Sequence, residues 1–83
     1  HEPGDDADLV AASRAGDHDS FAELVRRHQH RVRAFVAGCV PCADDELIDD
    51  IGQETFIAAH RSLADWDPER CAFSTWLLGI ARH

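Results

Sequence analysis

Apolar residues recur at helical intervals along almost the whole chain. A first short segment opens at Asp5, Asp6 or Asp8, carries Leu9, Val10, Ala12 and Ser13, and stops at Gly16. A second begins with Ser20-Phe21-Ala22-Glu23, which reads as a capping box in which Ser20 and Glu23 satisfy each other's free N–H groups. Phe21, Val25, His28, Val32, Phe35 and Cys39, joined by Leu24 and Val36, keep one of its faces for about five turns, until Pro41 ends it. A third helix starts near Asp44 or Asp45 and runs to about Leu63. Asp65, Asp67, Pro68 and Arg70 then make a polar loop, and Ser74 is expected to cap a fourth helix. The pattern of Trp76, Leu77, Ile80 and Ala81 is still running at Arg82-His83, with no Gly, Asn or Pro to close it. That pattern leads us to expect a piece of a longer protein. Strand signals are nearly absent: no sustained alternation, no Asn-Gly or Asp-Gly turn and no Tyr. The fold expected is all-α, a compact bundle of about four helices with the last one truncated. It would occupy 6–83 as one domain behind a flexible lead-in at 1–5.

The third helix is the most informative. At about 100° per residue, Leu47, Ile48, Ile51, Gly52, Thr55, Ala58, Ala59 and Leu63 share one half of the wheel, with Phe56 at its border. Asp49, Asp50, Gln53, Glu54, Ile57, His60 and Arg61 share the other. Gly52 lies on the inner half, where a missing side chain would let a neighbouring helix approach closely. Ile57 stands in the middle of the polar half. It is either a lone surface Ile on a solvated acidic face or the apolar anchor of a docking face suited to a basic partner.

Charge narrows the function classes. Sixteen Asp and Glu face eight Arg and no Lys, a formal charge of −8. A free-standing binder of nucleic acid or anionic membrane normally carries a basic face. Eighty-three residues, 45% of them apolar, support one modest core. There is no apolar run of about 18 residues to span a membrane and no signal peptide is visible. Three Cys are too few for a disulfide framework, so a reducing cytoplasm is expected.

Three motifs in register carry a family resemblance. Asp50-Ile51-Gly52-Gln53-Glu54-Thr55-Phe56-Ile57-Ala58-Ala59 resembles the D-x-x-Q-E-T-F-hydrophobic-x-A signature of region 2 of bacterial sigma factors. Ala15-Gly16-Asp17, followed by Ser20-Phe21 and Leu24-Val25-Arg26-Arg27-His28, resembles the opening of the extracytoplasmic-function (ECF) group. Phe73-Ser74-Thr75-Trp76-Leu77-Leu78-Gly79-Ile80-Ala81-Arg82 resembles that group's entry to its DNA-reading helix. The resemblance covers roughly Asp8 to His83.

It implies a transcription-initiation domain that docks on a coiled coil of the RNA polymerase β′ subunit, then recognises and melts the promoter −10 element. By position, Asp49, Asp50, Gln53, Glu54, Ile57 and His60 would form the polymerase face. The loop from Ala64 to Ala72 would correspond to the promoter-reading loop, which takes a non-template base out of the stack. Asp65, Asp67, Glu69 and Arg70 would offer hydrogen bonds to a base edge. Trp66 and Trp76 would stack on bases or pack in the core, and Arg82 would sit at the start of a basic helix continuing past the chain. Ser74 and Thr75 would present N–H groups and hydroxyls to a phosphate or serve merely as caps. An anti-sigma factor is the further partner that the resemblance implies.

Cys39-Val40-Pro41-Cys42 has metal-knuckle spacing, and Cys71 with His28, His30 or His60 would complete a tetrahedral set. Against this, Cys39 continues the apolar stripe of the second helix and no second Cys pair or paired-His motif exists. The readings weighed are zinc, a redox-sensing thiol pair, and packed or incidental thiols. No metal or cofactor is assigned. No nucleophile–base order, glycine-rich phosphate loop or buried carboxylate pair suggests catalysis, so no enzyme is expected. The competing function is a helical thiol- or metal-responsive interaction module with no DNA role.

Overall fold

The first helix turns into the second through a single residue that serves both. The computed structural model describes residues 5–82, so residues 1–4 of the lead-in expected at 1–5 lie outside the described residues. Asp5, one of the three openings expected for the first helix, is the N-cap of α1 (Asp6–Arg14), its carboxylate accepting the Asp8 N–H at 3.1 Å. At the other end, Gly16 N–H donates to the Ser13 carbonyl and Asp17 N–H to that of Ala12, both at 3.0 Å. This paired closure needs a left-handed residue, and Gly16 supplies it with φ +104°. Asp17 is then the N-cap of α2 (His18–Cys39). Its carboxylate accepts the Asp19 and Ser20 N–H groups at 3.0 and 3.4 Å and the Ser20 hydroxyl at 2.8 Å. The Ser20 bonds, hydroxyl first, hold the Asp17 carboxyl below its ordinary 3.8.

The expected Ser20/Glu23 capping box is therefore displaced by one turn. Ser20 is buried inside α2, and Glu23 turns along the helix to Arg26 and Arg27, both at 2.9 Å. Those two guanidiniums, Arg27 first, lower the Glu23 carboxyl.

α3 (Asp45–Arg61) is capped by Asp44, whose carboxylate accepts the Leu47 N–H at 2.9 Å. A single 3₁₀ turn, Leu63–Asp65, follows, then an irregular loop and α4 (Phe73–Ala81). α1 packs on α2, α2 and α4 on α3, and α4 also on α2. Among the described residues the architecture is the four-helix, strand-free one expected, with α4 short at nine residues. None of its helices is long and apolar enough to cross a membrane.

The core joins Val10 of α1, Leu24, Val32 and Val36 of α2, Ile48, Phe56 and Ala59 of α3, and Phe73 and Leu77 of α4. Leu63 and Trp66 complete it from the connection between α3 and α4. At about 25 cal/mol per Å² of apolar surface, side chains of this size each contribute roughly 1.5–3 kcal/mol when fully buried. Two polar clasps guide α1 and α3 onto α2. His28 Nε2 lies 2.9 Å from the Asp6 carboxylate, and Arg33 reaches both Asp45, at 3.3 Å, and Asp49.

Three inner-face expectations are corrected. Leu47 is 44% exposed, although it shares the apolar half of the α3 wheel with the buried Ile48. Nothing lies within 4 Å of where a Gly52 Cβ would stand, so Gly52 does not serve a close helix approach. Cys39, at the last position of α2, is exposed, so the apolar stripe ends before it.

Candidate functional site

α3 lies between α2 and α4, and its outer face borders a groove on each side. The groove against α2, about 650 Å³, has Val25, Ile48, Phe56 and the open position at Gly52 in its walls, with Gln29, Arg33, Asp49, Gln53 and Ile57 around them. The groove against α4, about 380 Å³, runs between Asp50, Glu54 and Ala58 on one side and Ile80 and Ala81 on the other. Helical spacing explains the division. Asp49, Gln53 and Ile57 stand four residues apart along one edge, and Asp50 and Glu54 along the next.

The six residues expected on this face are in different states. Asp50, Gln53 and Glu54 are exposed and have no hydrogen bond or ion pair within the described residues. Ile57, 45% exposed, stands one turn from Gln53. These four make a continuous patch of two free carboxylates, one amide and one apolar side chain. Asp49 is exposed too, but its carboxylate is already engaged by Arg33 from α2. His60 is exposed, with its ring edge-on against Phe21 at 4.7 Å between centroids. Asp49 and His60 thus also hold α3 against α2.

The segment between α3 and α4 is fastened from outside itself. The Arg14 guanidinium, at the end of α1, donates to the Leu63 carbonyl from Nε at 3.2 Å and from a terminal nitrogen at 2.7 Å. It also donates to the Trp66 carbonyl at 3.1 Å. Trp66 is 6% exposed, its ring packs edge-on against Phe73 at 5.4 Å, and its indole N–H donates to the Cys71 carbonyl at 3.1 Å. A ring so enclosed presents no free face, so the stacking role weighed for Trp66 gives way to its packing role. Trp76 is half-buried, 5.6 Å from Phe73.

Around this anchor the polar loop side chains point outward. Asp65, Asp67, Glu69 and Arg70 are exposed. Asp67 organises the turn: its carboxylate accepts the Glu69 N–H at 2.9 Å and its carbonyl the Arg70 N–H at 3.0 Å. Asp65 and Arg70 have no side-chain partner within the described residues.

Ser74 is not the N-cap expected. Ala72 takes that position and offers no side-chain acceptor. Ser74 and Thr75 therefore sit in the first turn of α4, where backbone N–H groups have no partner inside the helix. Arg82 closes α4 as its C-cap. Arg14 and Arg33, which fasten the loop and α3, were not singled out in the sequence. Arg14 acts across 49 and 52 residues, and the only local signal was a cation in the last turn of α1.

Among the described residues no three His, Cys, Asp or Glu side chains converge to hold a metal ion.

Comparison with known proteins gives these arrangements a frame. Residues 24–83 match the family described as Sigma-70 region 2. The chain is 38% identical over 82 residues to the RNA polymerase sigma factor CnrH of Cupriavidus metallidurans, covering 92% of this chain and 39% of that protein. It is 40% identical over 76 residues to the ECF sigma-E factor of Haemophilus influenzae, covering 92% and 38%. The chain thus spans about two fifths of the length of these curated relatives. Its fold superposes with a TM-score of 0.82 and 39% identity on an engineered region 2 of sigmaE, solved by NMR in complex with GTAAAA. That match covers 99% of this chain and 82% of the other.

Proposed function

The chain belongs to the sigma-70 region 2 family, and from that premise we propose that it is a promoter-specificity domain that docks on RNA polymerase and reads the −10 element. It works by binding, without catalysis, in the cytoplasm where polymerase acts. The observation that carries the reading is the outer face of α3, where Asp50, Gln53 and Glu54 stand free around the exposed Ile57. A small apolar anchor ringed by carboxylates suits the basic surface of a helical coiled coil. The charges favour encounter and register, while the Ile supplies desolvated contact. Asp49 and His60 contribute to this interface by fixing α3 on α2.

DNA is assigned to the other end of the α3–α4 connection. Asp65, Asp67 and Arg70 face solvent from a loop whose backbone is pinned by Arg14 and Trp66. A pinned loop loses little freedom on binding, which favours capture of an unstacked base over further disorder. The first turn of α4 offers uncapped N–H groups with the Ser74 and Thr75 hydroxyls for a phosphate. Trp76 and Arg82 would flank the strand. The engineered sigmaE region 2 carries its GTAAAA on the same fold, which supports single-stranded −10 DNA as the ligand class. An anti-sigma factor that competes for these faces is the regulatory partner expected.

Affinity for a β′ coiled-coil peptide tests the docking half. Asp50→Arg and Gln53→Ala together are expected to weaken binding by roughly 1–3 kcal/mol while the helical spectrum and melting temperature hold. Unchanged affinity in the folded double variant would remove α3 from the interface.

A further inference from the structure

Cys39 is the last residue of α2, and Cys42 follows three residues on, in the turn leading to α3. Both side chains are exposed, whereas Cys71 is half-buried against the core. Packing therefore accounts for Cys71 and not for the other two. The Ala43 N–H donates to the Val40 carbonyl at 3.0 Å, so a turn that starts one residue after Cys39 has Pro41 and Cys42 at its centre, with Pro41 fixing one φ. Cys-x-x-Cys is a spacing at which a disulfide can close across a single turn. A tetrahedral ion would need further ligands, and among the described residues no third donor converges on the pair.

We propose that Cys39 and Cys42 form a solvent-facing dithiol that reacts with low-molecular-weight disulfides and closes to an intramolecular disulfide. In the first step one cysteine thiolate attacks a sulfur of the small disulfide. Its S–S bond breaks, and one small thiolate leaves and takes up a proton. In the second, the other cysteine thiolate attacks the protein sulfur of the mixed disulfide and releases the second small thiol. Two protein thiols are oxidised and one small disulfide is reduced to two thiols. The closed turn leads directly into Asp44, the cap of α3, and Asp45, which Arg33 holds. Oxidation would tighten the start of α3 at the end opposite Ile57 and His60.

The 83-residue chain, equilibrated in an oxidising glutathione buffer, is alkylated and then mapped by mass. The expected product has lost two hydrogens, joins Cys39 to Cys42, and leaves Cys71 as the one thiol to alkylate. Cys39→Ser and Cys42→Ser each retain a single glutathione on the remaining partner, with the wild-type helical spectrum, since both positions are exposed. Three alkylated thiols in the wild type would overturn the proposal. So would stable glutathione on Cys39 or Cys42 of the wild type, or a bridge to Cys71. The wild-type map decides the matter even if a Ser variant fails to fold.

Discussion

Replacing Arg14 with Ala should loosen the connection between α3 and α4. Three hydrogen bonds from its guanidinium reach the Leu63 and Trp66 carbonyls, between 2.7 and 3.2 Å. A hydrogen bond with one charged partner contributes about 1.5–3 kcal/mol when shielded. Here three share one guanidinium and two carbonyls, and Arg14 itself is exposed. Water can replace part of what is lost, so the total should lie at about 1–3 kcal/mol rather than three times the single value. Ala is at least as good a helix former as Arg, so α1 itself should not weaken. For a domain of this size each kcal/mol moves the melting temperature by about 4–8 °C, which places Arg14→Ala roughly 10 °C below the wild type. Arg14→Lys keeps the charge but not the planar fork, and should recover less than half of the loss. Thermal unfolding followed by circular dichroism gives the totals, and hydrogen exchange should show faster exchange at the loop amides than in α2. A loss below about 0.5 kcal/mol, or full rescue by Lys, would refute the claim that this fork holds the loop.

Other expectations follow from the same geometry. Gly52→Ala meets open space in the middle of α3, so it should stabilise the domain by about 0.5–1 kcal/mol, measured by urea unfolding. The Asp17 carboxyl is lowered by its bonds to Ser20, so its contribution is fully present above 3.8 and disappears as pH falls through the lowered value. The stability difference between wild type and Asp17→Asn should therefore shrink as the pH is taken below about 4. Near the loop, Arg70 and Arg82 are opposed by Asp65, Asp67 and Glu69, so the phosphate term that dominates nucleic-acid affinity is small. Fluorescence anisotropy should find negligible duplex binding at physiological salt and weak binding of single-stranded −10 sequence, whereas micromolar, salt-insensitive duplex binding would contradict the placement of the DNA surface.

What was legible in the sequence was what local chemistry decides. The Gly16 stop, the Asp44 cap and the division of α3 into an inner and an outer half each depend on residues within a few turns of one another. Errors came where two local solutions compete or where packing chooses. Asp17 and Ser20 are both good caps, and the Schellman closure at Gly16 places Asp17 first, which carries Ser20 into the helix. Ala72 caps α4 instead of Ser74 because Phe73 must already be helical to enter the core beside Trp66. Leu47 and Cys39 follow the apolar pattern of their helices, yet both are exposed in the folded chain. The residues proposed for docking were readable as a list and not as a set of states. Only the contact with Arg33 separates Asp49 from the free carboxylates of Asp50 and Glu54. The role of Trp66 needed its partner at Cys71, and that of Arg14 needed carbonyls some fifty residues away.

The most direct test of the central claim is an NMR titration of the ¹⁵N-labelled chain with a β′ coiled-coil helix pair. The account predicts that the largest amide shifts will cluster at Asp50, Gln53, Glu54 and Ile57, with little change in α1 or at the start of α2. Shifts confined to α1, or none at concentrations where the peptide binds a bona fide sigma factor, would contradict it.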